Sequence, residues 1–115
     1  MTISQHQVHN KIVLTLKGKL VEKVRKTVQE AFDQARASHH RDLVVNLTEV
    51  PFMDSSGLGF LARTHDRLKQ DQGQLTLVCP PGYVLDLLKL SNFHTLMAIV
   101  ATEQEIEEKV AEPSR

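Results

Sequence analysis

Residues 42 to 59 read D-L-V-V-N-L-T-E-V-P-F-M-D-S-S-G-L-G, and the fold follows from how they divide. Leu43, Val44, Val45 and Leu47 make a short continuous apolar run, the pattern of a strand covered on both faces. Beyond Asp54, Ser55 and Ser56 the spacing changes. Leu58, Leu61, Ala62, His65 and Leu68 share one helical stripe, and Gly73 follows as a stop. The stretch is a handover from a buried strand to an amphipathic helix. Asp54, Ser55 or Ser56 can each cap that helix, because its first N–H groups lack partners and its positive dipole end favours an anion.

The reading extends to both sides. Upstream, Ile12, Leu14 and Leu16 alternate with Val13 and Thr15 in a strand that Gly18 ends, and residues 2 to 8 form a weaker strand paired to it through a turn at His9 and Asn10. Val21, Val24, Val28, Ala31, Phe32 and Ala35 then recur at helical spacing. Downstream, Leu75, Leu77 and Val78 resume a strand, P-P-G at 80 to 82 turns the chain, and Val84, Leu87, Leu88 and Ser91 mark another helix. Residues 96 to 100 suit a last strand, and Thr102 with Glu105 has capping-box spacing before Ile106 and Val110. Two adjacent strands followed by alternating helix and strand predict an α/β domain. Its sheet is mixed and mainly parallel, with four to five strands and about four helices. Residues 1–111 form that single domain, and 112–115 are expected to be a frayed tail.

Composition limits the function. The chain has 115 residues, enough for one core without disulfides or metal, and its 14 Lys+Arg balance 14 Asp+Glu. A net charge of zero provides no basic field for nucleic acid or anionic lipid. Cys79 is the single cysteine and sits in a strand-like L-T-L-V-C, consistent with a reducing compartment. No segment approaches the roughly 20 apolar residues of a membrane span, and M-T-I-S-Q-H-Q lacks the form of a signal peptide. A cytoplasmic protein is expected.

The D-S-S run is explained as a helix cap, but Gly57 and Gly59 are not, since each costs about 0.5–1 kcal/mol relative to alanine inside a helix. Small residues there are expected to leave the serine hydroxyls open to a visitor. A hydrolytic serine needs a base within about 3 Å. His65 is ten residues beyond Ser55, about 15 Å along a helix. The pattern G-x-S-x-G is absent, and a lone G-x-G is too little for a nucleotide site. His39 and His40 are adjacent and diverge in a helix or strand alike, so they do not make a metal site. Neither catalysis nor a cofactor nor a metal is expected.

V-P-F-M-D-S-S-G-L-G-F-L, preceded by D-L-V-V-N-L and followed by G-Q-L-T-L-V, resembles the STAS domain of bacterial anti-sigma factor antagonists over nearly the whole chain. The resemblance implies a STAS-like fold and a phosphorylated serine directly after the aspartate, here Ser55, with Ser56 as the runner-up. It further implies a partner that is both a protein serine kinase and an anti-sigma factor, and a PP2C-type phosphatase that reverses the reaction. Asp54, Ser56, Gly57, Leu58 and Phe60 are the residues expected to meet the partner. Phe60, Thr64 and Arg67 lie away from the apolar stripe, so Phe60 is either an exposed contact or a residue packed on a neighbouring helix. In one place the chain departs from the family: G-K-L-V-E-K-V puts Val21 where the family's aspartate is expected, with Glu22 displaced by about 100° on a helix. The alternative function is a constitutive STAS accessory subunit of a transporter or larger signalling assembly.

Overall fold

The computed structural model describes residues 1–37 and 42–106. His39, His40, Val110, the domain boundary at 111 and the tail lie outside the described residues. Strands β1 (Thr2–Val8) and β2 (Lys11–Lys17) form the antiparallel hairpin, turning at His9 with φ 54°. A 3-10 turn (Glu22–Val24) leads into α1 (Arg25–Ala37), followed by β3 (Asp42–Glu49), α2 (Ser55–Gln70), β4 (Gln74–Val78) and α3 (Tyr83–Leu90). A second 3-10 turn (Phe93–Thr95) precedes the short β5 (Ala98–Val100). The sheet order is β1-β2-β3-β4-β5, and every pair after the hairpin is parallel. This is the mixed, mainly parallel α/β sheet that the alternating pattern predicts.

Sequential parallel strands joined by right-handed crossovers carry their helices on one face. The packing follows that rule. Ile12, Leu14, Leu16, Leu43, Val45, Leu47, Leu75 and Leu77 share a core with Val28 and Phe32 of α1, Phe60, Leu61 and Leu68 of α2, and Val84 and Leu88 of α3. Val13, Val44, Val78 and Val100 point the other way and bury against Ile106. The apolar run of β3 is therefore continuous because both of its faces are covered. Cys79 follows β4 into the core, where burial pushes its thiol up to about 11.

Three local expectations shift. The first crossover helix begins at Arg25 rather than Val21, because Val21 is extended (φ −130°, ψ 171°) and the chain turns through a 3-10 segment first. The last strand is Ala98–Val100, since the residues before it turn. At Thr102 only half of the capping box forms. Glu105 Oε1 accepts from the N–H groups of Ala101 (2.6 Å) and Thr102 (3.1 Å), while Thr102 contributes its carbonyl to Glu105 N–H at 3.2 Å.

Candidate functional site

The start of α2 is built from two loops that run side by side beyond the ends of β2 and β3. Gly18 N–H donates to Glu49 O (3.1 Å), Leu20 N–H to Phe52 O (3.0 Å) and Asp54 N–H to Leu20 O (3.3 Å), extending the parallel pairing as a bridge between Leu20 and Met53. Both side chains of that bridge are buried. Asp54 is the N-cap, with extended backbone and Oδ1 accepting from Gly57 N–H at 3.1 Å. Its Oδ2 accepts from Glu22 N–H at 3.3 Å. One carboxylate thus satisfies a helix-start donor and fastens the β2–α1 loop to the helix.

Gly57 owes its identity to this approach. A Cβ there would lie 2.6 Å from Leu20 O and 2.7 Å from Met53 Cγ. The expectation that small residues serve to open the serines to a visitor is corrected at this position: Gly57 is buried, and no side chain fits between the helix and the loop.

The two serines differ. Ser56 Oγ donates to Glu22 Oε1 at 2.7 Å. This bond, followed by Arg25, whose Nε donates to Glu22 Oε2 at 3.2 Å, holds the Glu22 carboxyl below the usual carboxylate range. The Ser55 side chain is exposed, and its hydroxyl makes no hydrogen bond among the described residues. Glu22 is a site residue that periodicity does not mark. Placing it by helical rotation from Val21 fails because the chain is extended at Val21, and the extended segment delivers Glu22 to the helix start. No local spacing signals this, since Glu22 and Ser56 are 34 residues apart.

Phe60 is a correction. It is 1% exposed and meets Phe32 of α1 edge-on, with ring centroids 4.7 Å apart and planes at 81°. Thr64 is buried beside it, its hydroxyl returned to Phe60 O at 2.9 Å. Of the outward face read from Phe60, Thr64 and Arg67, only Arg67 is exposed. The physical reason is that α2 packs against the sheet and α1 at once, so its buried arc comprises Gly57, Phe60, Leu61, Thr64 and Leu68. Leu58 is half-buried against the core.

The exposed apolar surface near the site lies elsewhere. Phe52 (39% exposed) and Tyr83 (55%) stack with centroids 5.8 Å apart and planes within 6°. Tyr83 also lines a shallow cleft of about 190 Å³ between the loops after β3 and β4, with Val50, Pro51, Pro81 and Val84 among its walls. Among the described residues no group of histidine, cysteine and carboxylate side chains is arranged to hold a metal ion. No described helix is long and apolar enough to cross a membrane.

With the capped serine pair seated after a central parallel strand, comparison with known proteins is direct. The model of the STAS domain matches residues 2–106. The chain belongs to the STAS domain family. Among solved structures, this STAS chain is similar to an anti-sigma-factor antagonist (STAS) domain protein from Planctomyces limnophilus at 22% identity and a TM-score of 0.84, covering 96% of this chain and 98% of that one. The anti-sigma factor antagonist SpoIIAA in its unphosphorylated form matches at 21% identity and 0.75, covering 97% and 100%. The phosphorylated form of Bacillus SpoIIAA matches at 22% and 0.72, covering 95% and 99%. At these identities the likeness establishes the shared fold.

Proposed function

We propose that this STAS domain is a phosphorylation-controlled binding protein, an anti-sigma factor antagonist in a partner-switching circuit, with Ser55 as the modified residue. The observation that carries this reading is the contrast between the serines: Ser56 is engaged by Glu22, whereas Ser55 offers an exposed hydroxyl at a capped helix start. In the forward step the Ser55 oxygen attacks the γ-phosphorus of ATP held by a protein serine kinase that is also an anti-sigma factor. The bond from that phosphorus to the β,γ-bridging oxygen breaks, ADP leaves, and the hydroxyl proton passes to a base of the kinase. A PP2C-type phosphatase hydrolyses the ester and returns the hydroxyl. This chain supplies the acceptor and the surface.

The helix dipole and the free N–H groups at the start of α2 tolerate the added charge, so the fold is kept while the local surface changes sign. Binding to the unmodified form then covers a neutral hydroxyl, and phosphorylation places a dianion in that interface beside Asp54 and Glu22. Asp54, Ser56 and Leu58 lie at the rim of this surface. Gly57 serves by admitting the Leu20 loop.

The reading is tested by recovering the protein from cells with and without the kinase and mapping phosphate by peptide mass. Phosphate on Ser55 that depends on the kinase supports it. Phosphate on a helix residue such as Thr64, or none under any condition, leaves the constitutive accessory subunit as the better account; the exposed Phe52–Tyr83 pair, which can dock a partner irrespective of phosphate, suits that account.

A further inference from the structure

Gly59 lies one turn beyond Ser55, and its absent side chain has a different setting from that of Gly57. A Cβ at Gly59 meets no backbone and no core atom; its neighbours are Arg63 Nη1 at 3.3 Å and Arg63 Cζ at 4.0 Å. The Arg63 guanidinium therefore leans back over Gly59 toward the helix start, the direction long side chains take on a helix. Among the described residues no ion pair or hydrogen bond holds it there. Arg25 is bound to Glu22 (3.2 Å), Arg36 to Asp71 (3.0 Å) and Arg67 to Asp33 (3.8 Å). Asp66, the next acid along α2, forms no ion pair with Arg63 among the described residues.

We propose that Arg63 is the receiver of a phosphate on Ser55, reaching it along the groove that Gly59 leaves open; the inference rests on Ser55 being the modified residue. Helix positions four apart carry Cβ atoms about 5–6 Å from each other. A guanidinium whose Nη1 lies 3.3 Å from the Gly59 Cβ position is thus about one helical step from the Ser55 Cβ, and the phosphate itself spans much of that step. A guanidinium fork matches phosphate oxygens with charge-assisted hydrogen bonds. Glu22 and Asp54 stand on the loop side of the site and Arg25 is engaged by Glu22. Lys19 and Lys23 of that loop are exposed cations without the planar fork, so among the described residues Arg63 is the guanidinium left to answer the new charge. The glycine, costly in a helix interior, acquires a use: it keeps the groove clear. Phosphorylation then does two things to the surface that a partner reads, adding a dianion and drawing Arg63 onto it.

The test uses the full chain with phosphoserine genetically encoded at 55, so no kinase is needed, and follows its ³¹P signal through the second ionisation near about pH 6. Glu22, Asp54, Arg25, Asp66, Lys19 and Lys23 are the same in every variant, so differences report the changed residue. In Arg63→Gln the titration midpoint rises by about half a pH unit, because an opposite charge that favours the dianion is gone. Arg63→Lys falls between the two, having charge without the fork. Gly59→Leu, which keeps the arginine and fills its groove, shifts as Arg63→Gln does, and Arg67→Gln does not shift. Equal midpoints for wild type and Arg63→Gln overturn the proposal, as do equal shifts for Arg63→Gln and Arg67→Gln. Arg63 and Arg67 are exposed, so both variants fold and decide the matter even if Gly59→Leu does not. Failure here removes the receiver and leaves Ser55 as acceptor untouched; absence of kinase-dependent phosphate in cells removes the acceptor itself.

Discussion

Ser56 Oγ donates to the Glu22 carboxylate at 2.7 Å, joining the first turn of α2 to the loop that enters α1. The bond occupies one of two adjacent hydroxyls and leaves the other facing solvent. It also gives Glu22 a distinctive titration. Its carboxyl is depressed first by Ser56 and then by Arg25. A carboxyl lowered in the folded state contributes stability above its ordinary value of 4.5 and loses it as pH falls through the folded value. Ser56→Ala therefore raises the Glu22 midpoint, read from its side-chain carboxyl by NMR. A midpoint unmoved by that substitution contradicts the bond.

The two glycines of the motif respond in opposite directions. Gly57→Ala forces a methyl into Leu20 O and Met53 and costs about 1–3 kcal/mol by overpacking. Gly59→Ala meets only the movable end of Arg63 and stabilises the helix by about 0.5–1 kcal/mol. Urea unfolding of the two variants measures both. Equal effects contradict the assignment of one glycine to the loop approach and the other to an open groove.

Phe60→Ala removes a ring wedged against Phe32 and costs about 3–5 kcal/mol through lost transfer energy and a cavity. Phe52→Ala, at an exposed ring, stays within about 0.5 kcal/mol. Thermal or urea unfolding separates them, and a harmless Phe60→Ala would place that residue back on the surface.

With the kinase partner in calorimetric titration, wild type and Ser55→Ala bind tightly and alike, Ser55→Asp more weakly, and phosphorylated protein weakest. Covering the phosphate dianion together with the Arg63 it holds takes both charges out of water, at a cost of about 2–5 kcal/mol. At about 1.4 kcal/mol per decade, phosphate weakens binding about 30-fold to a few thousand-fold. Aspartate brings one charge on a shorter arm and loses less. Equal affinities for the phosphorylated and unphosphorylated forms rule out the switch.

Leu47 tests the sheet. It is 1% exposed in the core between β3 and the helices, and Leu47→Ala costs about 2–5 kcal/mol. An unchanged urea midpoint would contradict the central position of β3.

The architecture was legible because periodicity is a local record of burial. Ile12, Leu14 and Leu16 alternate since one side of β2 meets the helices, and the run from Leu43 to Leu47 is unbroken since β3 is covered on both sides. The start of α2 was legible to within a residue or two, because the D-S-S run carries capping chemistry contained within one turn; the structure selects Asp54 among its three candidates. The stripe on α2 was less so. Leu58, Ala62 and His65 stand out by hydropathy and spacing, yet they are half-buried, while Gly57 and Thr64 are buried. A helix covered from two directions buries an arc that apolar residues alone do not mark.

What tertiary structure alone decided are relations between distant segments. Glu22 selects Ser56 over Ser55 because the parallel pairing of β2 with β3 continues past the strand ends to the Leu20–Met53 bridge, and that register appears in no local pattern. The same approach explains Gly57 by a carbonyl 37 residues earlier in the chain, at Leu20. The Phe52–Tyr83 stack forms because successive crossovers set the loops after β3 and β4 side by side. The sequence by itself determined which segments form strands and helices, and that α2 starts at the D-S-S run. Only the packing of those elements determined which hydroxyl is left free, because that depends on which loop each strand end delivers to the helix start.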